Sequence, residues 1–229
     1  MSMQQKLKTR GIVMLVGFFA LLVIIFSPVF PGKVNGLDYM DNLFNMISKG
    51  SSYFIPKALE SSEKFKGRQV EMTIKLKDEA AAQQAVKLLA VDKVTTSAAG
   101  EKLTIAGDVG IIMDQALADA DLMFNNNGAA VKEKYGMNEK SVINQWWEIF
   151  GGMSKEMTKL ERFEAAKEFT NIQKKALEPA YNYYGVAIKK WQENIGLVIA
   201  SLAFYVGYTL WYGFGLMFLF EGIGLRIGH

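Results

Sequence analysis

Two uncharged apolar runs limit what this chain can fold into more than any other feature. The first, Gly11 to Phe30, holds 20 residues. As a helix rising ~1.5 Å per residue, it covers the ~30 Å hydrocarbon core of a bilayer. The second, Ile195 to Phe220, holds 26 residues, enough to cross with some tilt. A basic start followed by an apolar run is also how a cleaved signal peptide begins. Here the run is long for such a peptide and no A-x-A site follows, so a permanent span is expected.

Charge and residue usage then narrow the function. Between Pro31 and Asn194 the chain carries 22 basic and 22 acidic residues, and the overall excess of 26 over 23 sits on the flanks. No clustered positive face for nucleic acid is implied. Cysteine is absent and the single histidine is His229. That composition removes disulfides, thiol catalysis, iron–sulfur clusters, Cys/His zinc sites and histidine-ligated haem, and no cofactor is expected.

The second run has an unusual make-up. Gly196, Ala200, Ala203 and Gly207 recur at steps of four, three and four, which places small residues on one face where another helix backbone can come close. This is the expected helix-packing face. Ser201, Tyr205, Tyr208 and Tyr212 fall on a different face, and hydroxyls in lipid need partners. Tyr205 and Tyr208 lie nearer the middle of the run than a headgroup belt requires, so lateral packing on protein is expected there. Glu221 closes the run and completes this polar set, as an interfacial residue or as a partner of Arg226. Lys6, Lys8 and Arg10 before the first span place both termini in the cytoplasm, with Lys189 and Lys190 opposing slightly.

The middle of the chain is the working part. Leu37, Met40, Leu43, Phe44 and Ile47 predict an amphipathic helix that lies on the membrane or packs on the domain, with Gly50 as its stop. The stretch 49–56 reads as a loop, followed by a short helix over 57–66. Arg68 to Lys77 alternates as a half-buried strand, Asp78 caps a helix over 79–90, and Val94–Ala98 with Lys102–Gly107 form a hairpin. Asp108 opens a further helix ending near Asn125–Gly128. The order β-α-β-β-α is similar to part of a ferredoxin-like split fold, which hosts many roles. From Asn138 onward Val142, Trp146, Ile149, Phe150, Met153, Met157 and Leu160 trace a long apolar stripe. Gly151–Gly152 loosen it and Pro179 kinks or ends it. Two arrangements fit this stripe: a stalk reaching the second span, or a hairpin folded on the domain.

The expected class is therefore an α+β membrane protein, with two transmembrane helices flanking a small extracytoplasmic βαββα-type domain and a long amphipathic helix. The segments are a cytoplasmic stub (1–10), a first transmembrane helix (11–31), an amphipathic helical segment (32–67), an extracytoplasmic α/β domain (68–136), a helical stalk (137–194), a second transmembrane helix (195–221) and a cytoplasmic tail (222–229).

The motifs of nucleotide-binding loops, nucleophile elbows and zinc peptidases do not occur. Asp114, Asp119 and Asp121 share one helix, with Asp114 and Asp121 on one side, and read as a solvated face. Of Trp146 and Trp147, adjacent on a helix, at least one belongs to the core or an interface. No catalytic, cofactor or metal residue is assigned. The function expected is a non-catalytic inner-membrane accessory or scaffold subunit of a larger envelope complex. Its partners are the bilayer and other integral membrane subunits or further copies of itself. Two alternatives stay open. In layout, with Ser27-Pro28-Val29-Phe30-Pro31 near the first span and the glycines of the second, the chain resembles the polysaccharide co-polymerases, which implies a self-assembling envelope scaffold. The other alternative is a module that binds a lipid, quinone or solute for transport.

Overall fold

A computed structural model describes residues 2–225 and separates into two compact units. One comprises the chain up to residue 47 together with the chain from 188 onward; the other comprises residues 48–187.

Helix α1 (Met3–Phe26) starts upstream of the first apolar run. Ser2 and Gln5 cap it reciprocally, the Gln5 N–H donating to the Ser2 hydroxyl at 3.2 Å and the Ser2 N–H to Gln5 Oε1 at 3.0 Å. It stops at Ser27, because the residue before Pro28 is pushed out of helical geometry. A tight bridge pairs Phe30 with Val34. Helix α2 (Gly36–Ser51) follows, its first turn held by the Asp38 N–H donating to Asn35 Oδ1. The amphipathic periodicity is as expected, but the helix continues past Gly50.

In the second unit, α3 (Ile55–Ser62) carries Pro56 in its first turn, where the missing donor costs nothing. Strand β1 (Gln69–Lys75) buries Val70, Met72 and Ile74 and exposes the residues between them, as a period of two dictates. Asp78 caps α4 (Glu79–Leu88). Strands β2 (Val94–Ala99) and β3 (Lys102–Asp108) are joined at Gly100, whose φ of +58° suits the first position of a two-residue hairpin turn. The Asp108 carboxylate accepts the Gly110 and Ile111 N–H groups and opens α5 (Val109–Phe124). Both pairings are antiparallel and the order is β1-β3-β2, so β1 and β2 run parallel with β3 between them. This is the split arrangement that the β-α-β-β-α order implied.

Helix α6 (Gly128–Tyr135), which periodicity did not reveal, precedes α7 (Glu139–Lys159), α8 (Phe163–Ile172), a π-helical turn (Gln173–Leu177) and α9 (Glu178–Asn182). The expected long stalk over 137–194 is absent, and the hairpin arrangement holds instead. The chain reverses at Leu160–Arg162, with Glu161 at a φ of +58°. Helix α8 returns along α7, placing Phe169 5.0 Å from Phe150 and directing the Ser154 hydroxyl to the Ala166 carbonyl. The reason is hydrophobic: Val142, Trp146, Ile149, Phe150, Met153 and Met157 are buried in one core with the inner face of the sheet, α4, α5 and α8. Little of the stripe is left for a neighbouring chain. The wide turn ahead of Pro179 lets the helix pass a residue that cannot donate. After this unit the chain enters α10 (Trp191–Gly222), which belongs to the first unit. Helices α1 and α10 are both long and apolar enough to cross a membrane.

Gly151 and Gly152 do not break α7; Gly152 admits the sheet. A methyl group added at Gly152 would stand 3.1 Å from branched Ile74 side-chain atoms, whereas one at Gly151 would meet only Gln173 Nε2, also at 3.1 Å, the tip of a buried side chain that donates to the Trp147 carbonyl at 2.7 Å. Gly152→Leu is expected to cost about 1–3 kcal/mol through overpacking. Gly151→Ala should cost less than that, because the Gln173 tip needs to give by only a few tenths of an ångström and helix propensity returns up to ~1 kcal/mol. Urea denaturation of the detergent-solubilised chain, followed by tryptophan emission, separates the two; equal midpoints would contradict this packing.

Candidate functional site

The apolar pair is built by close backbone approach. Helices α1 and α10 pack antiparallel: Gly222 lies against Lys8, Gly11 against Gly215 and Leu219, and Gly17 against the Trp211 ring. A Cβ at Gly11 would fall 2.5 Å from the Leu219 nitrogen, so only hydrogen fits. Trp211 Nε1 donates to the Met14 carbonyl at 3.0 Å, and the Arg10 guanidinium lies 4.3 Å from the Phe218 ring centroid. Phe18 stacks on Tyr208 at 4.2 Å and approaches Tyr212 at 4.8 Å.

Helix α1 therefore sits on the side of α10 that carries Tyr208 and Tyr212, and Gly196, Ala200, Ala203 and Gly207 are all exposed. Among the described residues nothing lies within 4 Å of a Cβ built at Gly196 or Gly207. Of the polar set, Ser201 donates to the Val198 carbonyl, the Tyr208 hydroxyl is buried without a partner among the described residues, and Tyr205 and Glu221 are exposed. Arg226 and His229 lie outside the described residues. The glycines used inside the pair, Gly11, Gly17, Gly215 and Gly222, escaped the sequence reading. A spacing of seven between Gly215 and Gly222 was the available sign.

The second unit is closed at its ends by one ammonium. Lys49, fully buried, donates to Asn126 Oδ1 at 2.9 Å, to the Tyr183 carbonyl at 3.0 Å and to the Val186 carbonyl at 2.7 Å, and stands 5.2 Å from the Phe124 ring centroid. Burial holds its pKa below the usual lysine value. Asn126, at a φ of +63°, returns a bond to Val186 and accepts the Gly185 N–H. The asparagine run thus does more than end a helix: it supplies this clasp. In the first unit the Lys189 N–H donates to the Met46 carbonyl at 3.1 Å.

Among the three aspartates of α5 the solvated-face expectation fails. Asp119 is fully buried and accepts from Lys134 Nζ at 2.7 Å, the Tyr135 hydroxyl at 2.5 Å and Trp146 Nε1 at 2.8 Å. Asp114 accepts from Ser62 and Lys66, and Asp121 from Tyr53. The reason is that α5 is covered on nearly every side, so even its polar positions meet α3, α6 and α7. The two tryptophans diverge as expected: Trp146 is core, and Trp147 is partly exposed with Nε1 donating to Glu178. No group of three or more potential metal ligands occurs among the described residues. Comparison with protein families, curated proteins and solved structures gives no match.

Removing the Asp119 carboxylate leaves an indole N–H, a phenol and an ammonium without their acceptor, so Asp119→Ala is expected to destabilise the second unit by about 3 kcal/mol or more. Burial, and then the neighbouring Asp119 charge, push the Tyr135 phenol above its ordinary range. An unfolded tyrosine ionises near pH ~10. Above that the native state holds a proton the unfolded chain has lost, so this tyrosine's contribution to stability, complete below pH ~10, declines as pH rises further. Tyr135→Phe should flatten that decline in urea titrations at about pH 9.5 and 10.5; an unchanged slope would exclude the assignment.

Proposed function

We propose that this chain is a non-catalytic two-span membrane subunit that organises or braces a larger envelope complex. It sits in the inner (plasma) membrane with both termini cytoplasmic and residues 48–187 outside. The observation that carries the reading is the state of α10 once α1 is seated. One side is filled by the glycine-mediated pair, and the Gly196, Ala200, Ala203 and Gly207 side stays bare. In lipid, small residues favour helix association through close van der Waals approach rather than through the hydrophobic effect. A helix with two such sides suits a chain that holds itself together on one and a neighbour on the other. That neighbour is another integral membrane subunit or a second copy.

Light scattering on the chain extracted in mild detergent tests this. The wild type should run as an assembly larger than one chain. The double substitution Ala203→Phe with Gly207→Leu should reduce it to a single chain while leaving the urea midpoint of the second unit unchanged. Wild type that runs as one chain with nothing bound, in every mild detergent, would end the proposal.

A further inference from the structure

The three-stranded sheet of the second unit has two edges, and they differ. At β1 the Gln69 carbonyl accepts from the Arg162 guanidinium at 3.4 Å, and the strand carries Glu71 and Lys75. At β2 nothing of the kind occurs among the described residues. Val94-Thr95-Thr96-Ser97-Ala98-Ala99 holds no charge and no proline, and its pairing with β3 runs without a bulge. Lysines, prolines and bulges are how edge strands avoid pairing with other chains, so this edge is undefended.

The backbone shows what the edge offers. The two-residue turn at Gly100–Glu101 makes Ala99 and Lys102 a hydrogen-bonded pair, and in an antiparallel ladder such pairs alternate with unbonded ones. Thr95 and Ser97 therefore bond to β3, whereas Thr96 and Ala98 turn their N–H and C=O groups outward, where none has a partner among the described residues. Val94 also turns outward, but its N–H is spent on the Val91 carbonyl at 3.3 Å. The core is open along the same strand. Val70, Met72 and Ile74 of β1 and Leu103 and Ile105 of β3 are buried, while Val94 and Ala98, with Val86 of α4, pack against that core and stay partly exposed.

We propose that β2 pairs antiparallel with β2 of a second copy of this chain, about a two-fold axis at Ser97, so that two sheets become one. In that register each Thr96 lies opposite Ala98 of the second copy, and the outward N–H and C=O groups of both residues bond reciprocally. The strand itself selects this occupant. Identical strands paired antiparallel set like residues near each other, which an uncharged run of small side chains tolerates and a charged run does not. The contact also closes: each copy spends its β2 edge and the β1 edge is guarded, so a pair forms and not a fibre. One strand edge buries far less than the ~800 Å² per partner of a stable interface. Resting on the membrane-subunit reading above, the pair therefore forms between copies that α10 already holds at high effective concentration, and the neighbour on α10 is a second copy.

The chain has no cysteine, so a single introduced thiol reports the contact. In this register Ser97 faces Ser97 of the second copy as a non-hydrogen-bonded pair with Cα atoms about 4.5 Å apart, within the ~7 Å reach of a disulfide. The two Thr95 residues fall about 13 Å apart, at about 3.3 Å per strand position. Both positions are exposed. Mild oxidation of the full chain in mild detergent, read on a non-reducing gel, should cross-link Ser97→Cys into a two-chain band about tenfold more than Thr95→Cys. Thr96→Pro, added to Ser97→Cys, removes only an outward N–H. It should lower the cross-link about tenfold while light scattering still shows an assembly and the urea midpoint of the second unit holds. If that variant does not fold, the contrast between Ser97→Cys and Thr95→Cys decides. An assembly in which Ser97→Cys cross-links no more than Thr95→Cys, or in which the cross-link survives Thr96→Pro, overturns the pairing and leaves the α10 reading intact. A single chain by light scattering ends both.

Discussion

A domain spliced between two helices that pair antiparallel must return its last residue to its first, and this chain meets that constraint with backbone carbonyls and one ammonium. Lys49 takes its carbonyl partners from Tyr183 and Val186, more than 130 positions along the chain. Closing so long a loop costs entropy that grows only slowly with length, so a few well-placed bonds suffice to offset it. What makes the clasp selective is the cost of leaving the ammonium unpaired. In a buried site an unsatisfied charge is worth several times a surface ion pair. The two ends of the second unit either meet there or forfeit these bonds together.

The two units hold together by different physics. Residues 48–187 follow water's logic: a sheet buries one face, helices cover it, and the polar group that goes inside, Asp119, goes in with its donors. Among the described residues of α1 and α10 only Gly11, Phe18 and Gly215 are buried, so a single side chain is enclosed. Its contact rests on shape, since glycine lets one backbone lie on another and an indole reach a carbonyl. The same residue type has opposite meanings in the two settings. Gly152 is a concession by α7 to Ile74, whereas Gly11 and Gly215 are the contact itself.

How legible these features were follows from that difference. Alternation in 68–77 and the capping aspartates Asp78 and Asp108 are local signals, and the β-α-β-β-α order came through with boundaries shifted by a few residues. The stalk over 137–194 failed because a stripe's periodicity tells that a face is buried, not by what. The reversal at Glu161 depends on a left-handed residue with no glycine or asparagine to announce it. Asp119 and Lys49 looked ordinary because burial of a charge is decided by partners 15 to 137 positions away. On α10 the regular small-residue spacing drew attention from Gly215 and Gly222, which the helix pair uses.

Net charge bears on one question and is silent on another. Equal numbers of acids and bases across the middle of the chain argue against a broad field that steers a polyanion, because such a field sums over many side chains. A local site obeys different arithmetic. Around the first turns of α4 and α7, Lys77, Asp78, Lys140 and Glu148 set two charges of each sign side by side, and Asp78 spends one of its oxygens on the Ala81 N–H. A carboxylate whose oxygen already caps a helix has part of its charge compensated by the dipole it serves, so counting it as a full repellent overstates its effect. Neutral composition therefore speaks to the long-range field alone, and what any local surface can hold depends on which groups remain uncommitted after the fold has taken what it needs.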